Sequence, residues 1–145
     1  MIDLYARKVV SYAISDCIDE KLDTEAFESA YISRACPKGL LFYSDHGTQY
    51  TAFSIRKKLR DSDVVQSFSA PASLHDNAVI ESFFASIKKK NYRKHFYKSE
   101  VEFKVAVAKY IDFYNDYKPQ QRFGCLTPNQ VDEEYYKSHP SDPSE

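Results

Sequence analysis

Apolar and polar positions alternate early in the chain. Val10, Tyr12 and Ile14 share one face and Val9, Ser11 and Ala13 the other, the period of a β-strand. The text before it, Ile2-Asp3-Leu4-Tyr5, also reads as extended, and it opens as though already in mid-strand. The period then lengthens. Ala26, Phe27, Ala30 and Tyr31 predict a helix capped by Asp23 or Thr24 and closed by Pro37 and Gly39. Leu40-Leu41-Phe42-Tyr43, bounded by Gly39 and by Ser44-Asp45-His46-Gly47, predicts a buried strand that delivers Asp45 to a loop at its carboxyl end. Thr51 predicts the cap of a helix with Ala52, Ile55 and Leu59 inward and Arg56, Lys57, Lys58 and Arg60 outward. Val64 to Phe68 predicts a further strand. Asp76 then predicts the N-cap of a helix with an apolar stripe at Ile80, Phe83, Phe84 and Ile87, from which Glu81 stands apart. Phe103, Val107, Tyr110, Ile111 and Tyr114 write a last helix that ends before Lys118-Pro119. Beyond Gln130 the text turns polar, so residues 1–131 read as one domain and 132–145 as a frayed tail. Strands alternating with helices make the class α/β.

Composition narrows this picture only a little. A chain of 145 residues is one domain or a large piece of one, and 12 Tyr with 10 Phe supply apolar surface for a core. With 20 Lys+Arg against 21 Asp+Glu, the net charge is −1, so any contact with nucleic acid must come from a local basic patch. The run Lys88-Lys89-Lys90-Asn91-Tyr92-Arg93-Lys94 is that patch, free of acids until Glu100 and interleaved with Tyr92 and Phe96. Cys17, Cys36 and Cys125 are odd in number, far apart and lack C-x-x-C spacing, which speaks against a disulfide framework or a zinc knuckle. No apolar run approaches the roughly 20 residues of a membrane span and the start lacks a signal-peptide layout, so the expected place is the cytoplasm.

Two carboxylates stand in distinctive settings: Asp45 at the end of a buried strand, and Glu81 early in a capped helix, with 35 residues between them. Transfer of a phosphodiester by two divalent ions needs carboxylates converging on metals about 3.5–4 Å apart, and Asp and Glu suit the hard Mg²⁺ ion. As bare chemistry the pair is one of many among 21 acidic residues, and solvated surface carboxylates are the alternative. His75 and His95 have no metal-ligand spacing.

The flanking text is more specific. Tyr43-Ser44-Asp45-His46-Gly47-Thr48-Gln49-Tyr50, followed by His75-Asp76-Asn77-Ala78-Val79-Ile80-Glu81-Ser82-Phe83-Phe84, resembles the catalytic core of DDE transposases of the insertion-sequence-three family, itself similar to retroviral integrase. That family reads H-S-D-x-G-x-Q-Y-x-S and D-N-A-x-x-E-S-F-F at the same interval. The resemblance continues through Tyr114-Asn115-Asp116-Tyr117-Lys118-Pro119-Gln120 and Leu126-Thr127-Pro128, where the family closes with Y-N-x-x-R-x-H and L-T-P. It implies a ribonuclease-H-like mixed sheet flanked by helices, with three carboxylates around two Mg²⁺ ions, Mn²⁺ being a substitute. In that pattern Asp45 bridges both metals and Glu81 holds the second. Asn77 orients Glu81 or touches DNA, the alternative being a helix-start residue with a solvated amide, and Lys88, Lys89, Lys90, Arg93 and Lys94 contact DNA phosphates, the alternative being a solvated face that complements the helix dipole. Gln49 and Tyr50 lie beside the active loop, Tyr50 chiefly as packing.

Departures from the pattern also carry expectations. Ile2-Asp3-Leu4-Tyr5-Ala6-Arg7-Lys8 matches the family's second strand, so the sequence begins after the place of the first aspartate and lacks the first strand, and Asp3 is a poor substitute ligand. Tyr43 stands for His, His46 for Arg or Gln, Ala72 and Leu74 for Gly and Pro, Lys118 for Arg and Gln120 for His. The expected function is a transposase core that cuts and joins DNA, with weak Mg²⁺ binding and little cleavage by these residues alone. The alternative is a non-catalytic DNA-binding or interaction relic that docks on an intact transposase. An open sheet edge favours self-association in either case.

Overall fold

The computed structural model describes residues 1–16, 20–68, 78–92 and 96–140. They fall into two compact units, one of Met1 with residues 10–81 and one of residues 2–9 with 82–145.

The first unit contains α1 (Glu20–Ser33), β1 (Leu41–Ser44), the short α2 (Thr48–Thr51), α3 (Phe53–Asp61) and β2 (Val65–Phe68). The two strands pair in parallel, Leu41 opposite Val65 and Ser44 opposite Phe68, and are the only sheet among the described residues. Helix α3 crosses between them, as a parallel pair requires. Phe27, Ile55, Leu59 and Val64 form the buried centre. Phe27 stacks on Tyr31 with ring centroids 5.5 Å apart and meets Phe42 of β1 edge-on at 5.8 Å. Tyr31 Oη donates to the Ser62 carbonyl (2.9 Å), tying the end of α3 to α1.

Two expected helix starts differ. Asp23 and Thr24 lie inside α1, which begins at Glu20. Thr51 does not cap α3, because its hydroxyl donates back to the Thr48 carbonyl (3.0 Å); Ala52 takes the N-cap position with no side-chain bond. Asp76 lies outside the described residues.

The second unit is built on α5 (Glu100–Asp116), with α4 (Ala78–Ile87) contributing from Ser82 onward, α6 (Pro128–Ser138) and the N-terminal residues 2–9. Ser99 caps α5 by accepting from the Glu102 amide (3.2 Å). Val107, Tyr110, Ile111 and Tyr114 bury the stripe read from the sequence, and Phe83 meets Tyr114 edge-on at 5.0 Å. Leu126-Thr127-Pro128 starts α6: Thr127 and Gln130 form a reciprocal capping box, with Pro128 in the first turn. Residues 132–138, which polarity places in a tail, continue this helix instead. Asp132 is buried there and pairs with Lys8 at 2.8 Å.

The expected N-terminal strands are corrected as well. Among the described residues, 2–5 and 9–14 form no ladder; residues 2–9 turn back on themselves with one antiparallel bridge, Ile2 to Val9. The Asp3 carboxylate accepts from the amides of Tyr5 (2.8 Å) and Ala6 (3.1 Å), which closes the turn. The mixed sheet expected from the sequence is thus represented by the parallel pair alone.

Candidate active site

The carboxyl end of a parallel strand is where an α/β sheet presents side chains to a ligand. Asp45 follows β1 directly, and its side chain is exposed there. Its Oδ1 accepts from the Gly47 amide at 2.9 Å, an Asx-turn that orients the carboxylate. Gly47 leaves space beside that carboxylate: a Cβ there would stand 2.9 Å from Asp45 Oδ1 and 3.1 Å from Gln49 Oε1. Its φ of −53° is open to any residue, so a side chain there would act only by displacing the ends of the Asp45 and Gln49 side chains. His46 stacks on Phe68 at the end of β2, centroids 4.6 Å apart and planes 13° from parallel. Before Asp45, Ser44 is buried, and its Oγ has no hydrogen-bond partner among the described residues.

Tyr50 packs where the sequence expects it to. Its ring lies 6.1 Å from Phe42, and its carbonyl accepts from Gln66 Nε2 of β2 at 2.8 Å. Burial, with the Asp23 and Asp45 carboxylates and a hydrogen bond to Asp23, pushes its phenol up to about 12. An unfolded tyrosine ionises near pH 10. The folded state therefore keeps this proton longer, and the stability so gained is present below pH ~10 and lost as the pH rises through 12. Tyr50→Phe is expected to flatten that loss. Urea midpoints of both proteins between pH 9 and 12 check it, and parallel curves would contradict it.

Glu81 lies in the first turn of α4, exposed and off the apolar face as expected, where the amino-terminal dipole favours its charge. Asp45 and Glu81 belong to the same compact unit. Among the described residues, no group of three His, Cys, Asp or Glu side chains gathers closely enough to hold a metal. Asp3 is occupied as the acceptor of its turn and belongs to the other unit. As a donor set, two exposed carboxylates still suit a hard divalent cation that retains most of its water.

Of the basic patch, Lys88 and Lys89 are exposed at the start of a π-helical turn, Lys88–Tyr92, that follows α4. Lys90 folds over the Phe113 ring, its Nζ 3.4 Å from the centroid. Asn77, Arg93, Lys94, His75 and His95 lie outside the described residues. No helix among the described residues is long and apolar enough to cross a membrane.

The integrase core domain family matches residues 62–128. A transposase for insertion sequence element IS629 from Shigella sonnei is 27% identical over 138 residues, 95% of this chain and 46% of that protein. Transposase InsF for insertion sequence IS3A from Escherichia coli K12 is 30% identical over 134 residues, 91% of this chain and 46% of that protein. The chain thus spans about half the length of the curated relatives it matches. Among solved structures, the catalytic core domain of BIV integrase superposes with a TM-score of 0.53 at 16% identity, covering 84% of this chain and 78% of that one. That likeness confirms the ribonuclease-H-like α/β fold implied by the motifs.

Proposed function

We propose a role in cutting and joining DNA during transposition for this chain, which is an integrase-like core of the insertion-sequence-three transposases. The observation that carries the proposal is the placement of Asp45: exposed at the carboxyl end of the parallel pair, oriented by the Gly47 amide, within a stretch similar to transposases on both sides. Asp45 and Glu81 are the residues that would hold Mg²⁺, or Mn²⁺ in its place. A divalent cation there would neutralise the scissile phosphodiester and promote deprotonation of the attacking oxygen. The protein's own part is to fix the Asp45 carboxylate, to offer Glu81 from a rigid helix, and to hold DNA by Lys88 and Lys89, joined in this proposal by Lys90, Asn77, Arg93 and Lys94. The setting is the cytoplasm, with DNA as substrate.

These 145 residues supply two of the three carboxylates that the motif pattern calls for, so they alone are expected to bind DNA in a salt-sensitive way with little or no nicking. Anisotropy with a labelled duplex and a supercoiled-plasmid assay in Mg²⁺ test both parts. Absence of DNA binding would overturn the DNA role; nicking that vanishes in Asp45→Asn and Glu81→Gln would overturn the expected inactivity.

The second reading, a non-catalytic partner of an intact transposase, draws on the sheet. Leu41 and Val65, paired across β1 and β2, are 61% and 58% exposed, whereas parallel strands are ordinarily covered on both faces. Each strand also has an edge unpaired among the described residues. Wild-type protein is expected to self-associate with rising concentration, and Leu41→Lys with Val65→Lys to sediment as a monomer. Wild type that stays monomeric throughout would remove this reading.

A further inference from the structure

Inside the second unit, hydrogen-bond donors and positive charge gather around Tyr114 with no carboxylate paired to them among the described residues. Lys118 Nζ lies 5.1 Å from the centroid of the Tyr114 ring and donates to Ser86 Oγ at 2.7 Å. Ser86 is already engaged by Tyr110 Oη at 2.6 Å. Lys90 lies close enough to Lys118 for the two charges to be felt, and it rests on Phe113, the residue before Tyr114. From the N-terminal segment, the Arg7 guanidinium acts on the same Tyr114 phenol, and Arg7 is held there with a left-handed backbone, φ 56°.

The shortage of acceptors is explicit. Arg7 Nε is buried with no hydrogen-bond partner among the described residues, and the buried Gln120 Nε2 has only the Tyr114 phenol to turn to. Among the described residues, neither Arg7, Lys90 nor Lys118 pairs with a carboxylate, although Lys8 next to Arg7 does, through Asp132. Burial, then the Lys90 ammonium, holds the Lys118 amine below its ordinary range, as expected of a cation lacking its counter-ion. Buried donors left unsatisfied cost free energy, and so do like charges brought together. One anion with several oxygens would relieve both costs.

We propose that Arg7, Lys118 and Gln120, flanked by Lys90 around Tyr114, form a phosphate-binding site for the nucleic-acid backbone, separate from the Asp45 and Glu81 carboxylates. Arginine supplies a planar fork for phosphate oxygens and lysine a point charge, the combination suited to a phosphodiester. That the phosphate belongs to DNA rests on the function proposed above; the anion site itself does not.

The test has two arms on the 145-residue chain. In the first, inorganic phosphate is compared with chloride at equal ionic strength by thermal melting. Phosphate is expected to raise the melting temperature of wild type; Lys118→Met and Arg7→Met should lose the gain, while Lys118→Arg and Lys38→Met, at an exposed lysine of the first unit, should keep it. Equal melting in the two salts, or a gain retained in Lys118→Met, would overturn the site. Should Lys118→Met fail to fold, Lys90→Met takes its place, with a reduced phosphate gain expected and an unchanged one counting against the site. In the second arm, Lys118→Met is expected to weaken a labelled duplex and to reduce the slope of log affinity against log salt by about 1. A lost phosphate response with unchanged duplex binding would overturn the DNA occupant. Wild type that fails to bind duplex at all would refute the functional proposal, while the phosphate arm would still decide the site.

Discussion

Asp45→Asn is expected to reduce Mn²⁺ binding at this site at least tenfold, about 1.4 kcal/mol, while leaving the melting temperature nearly unchanged. The two expectations separate because the side chain has two uses. An asparagine oxygen can still accept from the Gly47 amide, so the turn that follows β1 survives. What disappears is the anionic oxygen, and a hard cation binds charge and oxygen together. Paramagnetic broadening of backbone amide signals around residues 44–49 by Mn²⁺ reads the binding, and heat denaturation reads the fold. Gly47→Ala provides a graded companion. Its new Cβ would meet Asp45 Oδ1 at 2.9 Å, pushing the carboxylate aside while keeping its charge, so a loss smaller than that of Asp45→Asn is expected. Tyr50 reports independently: the Asp45 charge helps hold its phenol high, so in Asp45→Asn it should titrate at lower pH. Equal Mn²⁺ broadening in wild type and Asp45→Asn would exclude Asp45 as a ligand.

The placement of Asp45 at a strand end was legible because its signal is local. A short apolar run ending in Ser-Asp-x-Gly describes a strand that stops at a loop, and β1 ends at Ser44, one residue before Asp45. Likewise, the spacing of Val107, Tyr110, Ile111 and Tyr114 is a helical stripe whatever it packs against, and all four are buried. Capping was less legible, since Thr51 and Ala52 both precede an apolar period and only the hydroxyl's choice of the Thr48 carbonyl decides between them. The N-terminal segment misled for a reason of longer range. Alternation of Val9 to Ile14 describes which side chains share a face, but a ladder also needs a neighbouring backbone. Here the Val9 backbone is taken by a side chain 106 residues away. The donors around Tyr114 were invisible for the same reason, because Arg7 and Lys118 lie far apart in the chain, and nothing local to either announces the other.

That long-range partner, Asn115, carries the largest stability effect expected in the molecule. Its buried Oδ1 accepts from the Val9 amide at 3.0 Å, and its Nδ2 donates to the Val9 carbonyl at 2.9 Å, so the amide side chain pairs with Val9 as an adjacent strand would. This gives the Tyr114-Asn115 motif a structural meaning. Tyr114 packs its ring against Phe83, and the next residue fastens the N-terminal segment to α5. Asn115→Ala removes both bonds and strands a buried N–H and C=O at once, so a loss of about 2–5 kcal/mol is expected. Asn115→Asp separates the two halves. The carboxylate can still accept from the Val9 amide, but it cannot donate to the carbonyl and sets a negative charge against that oxygen. It should therefore also destabilise, and recover as the carboxyl is protonated at low pH and regains a donor, whereas Asn115→Ala should show no such recovery. Urea unfolding of the three proteins at pH 7 and pH 4 makes the comparison. If Asn115→Ala unfolds within ~0.5 kcal/mol of wild type, Val9 is held by something other than this side chain, and its fastening to α5 has been wrongly assigned.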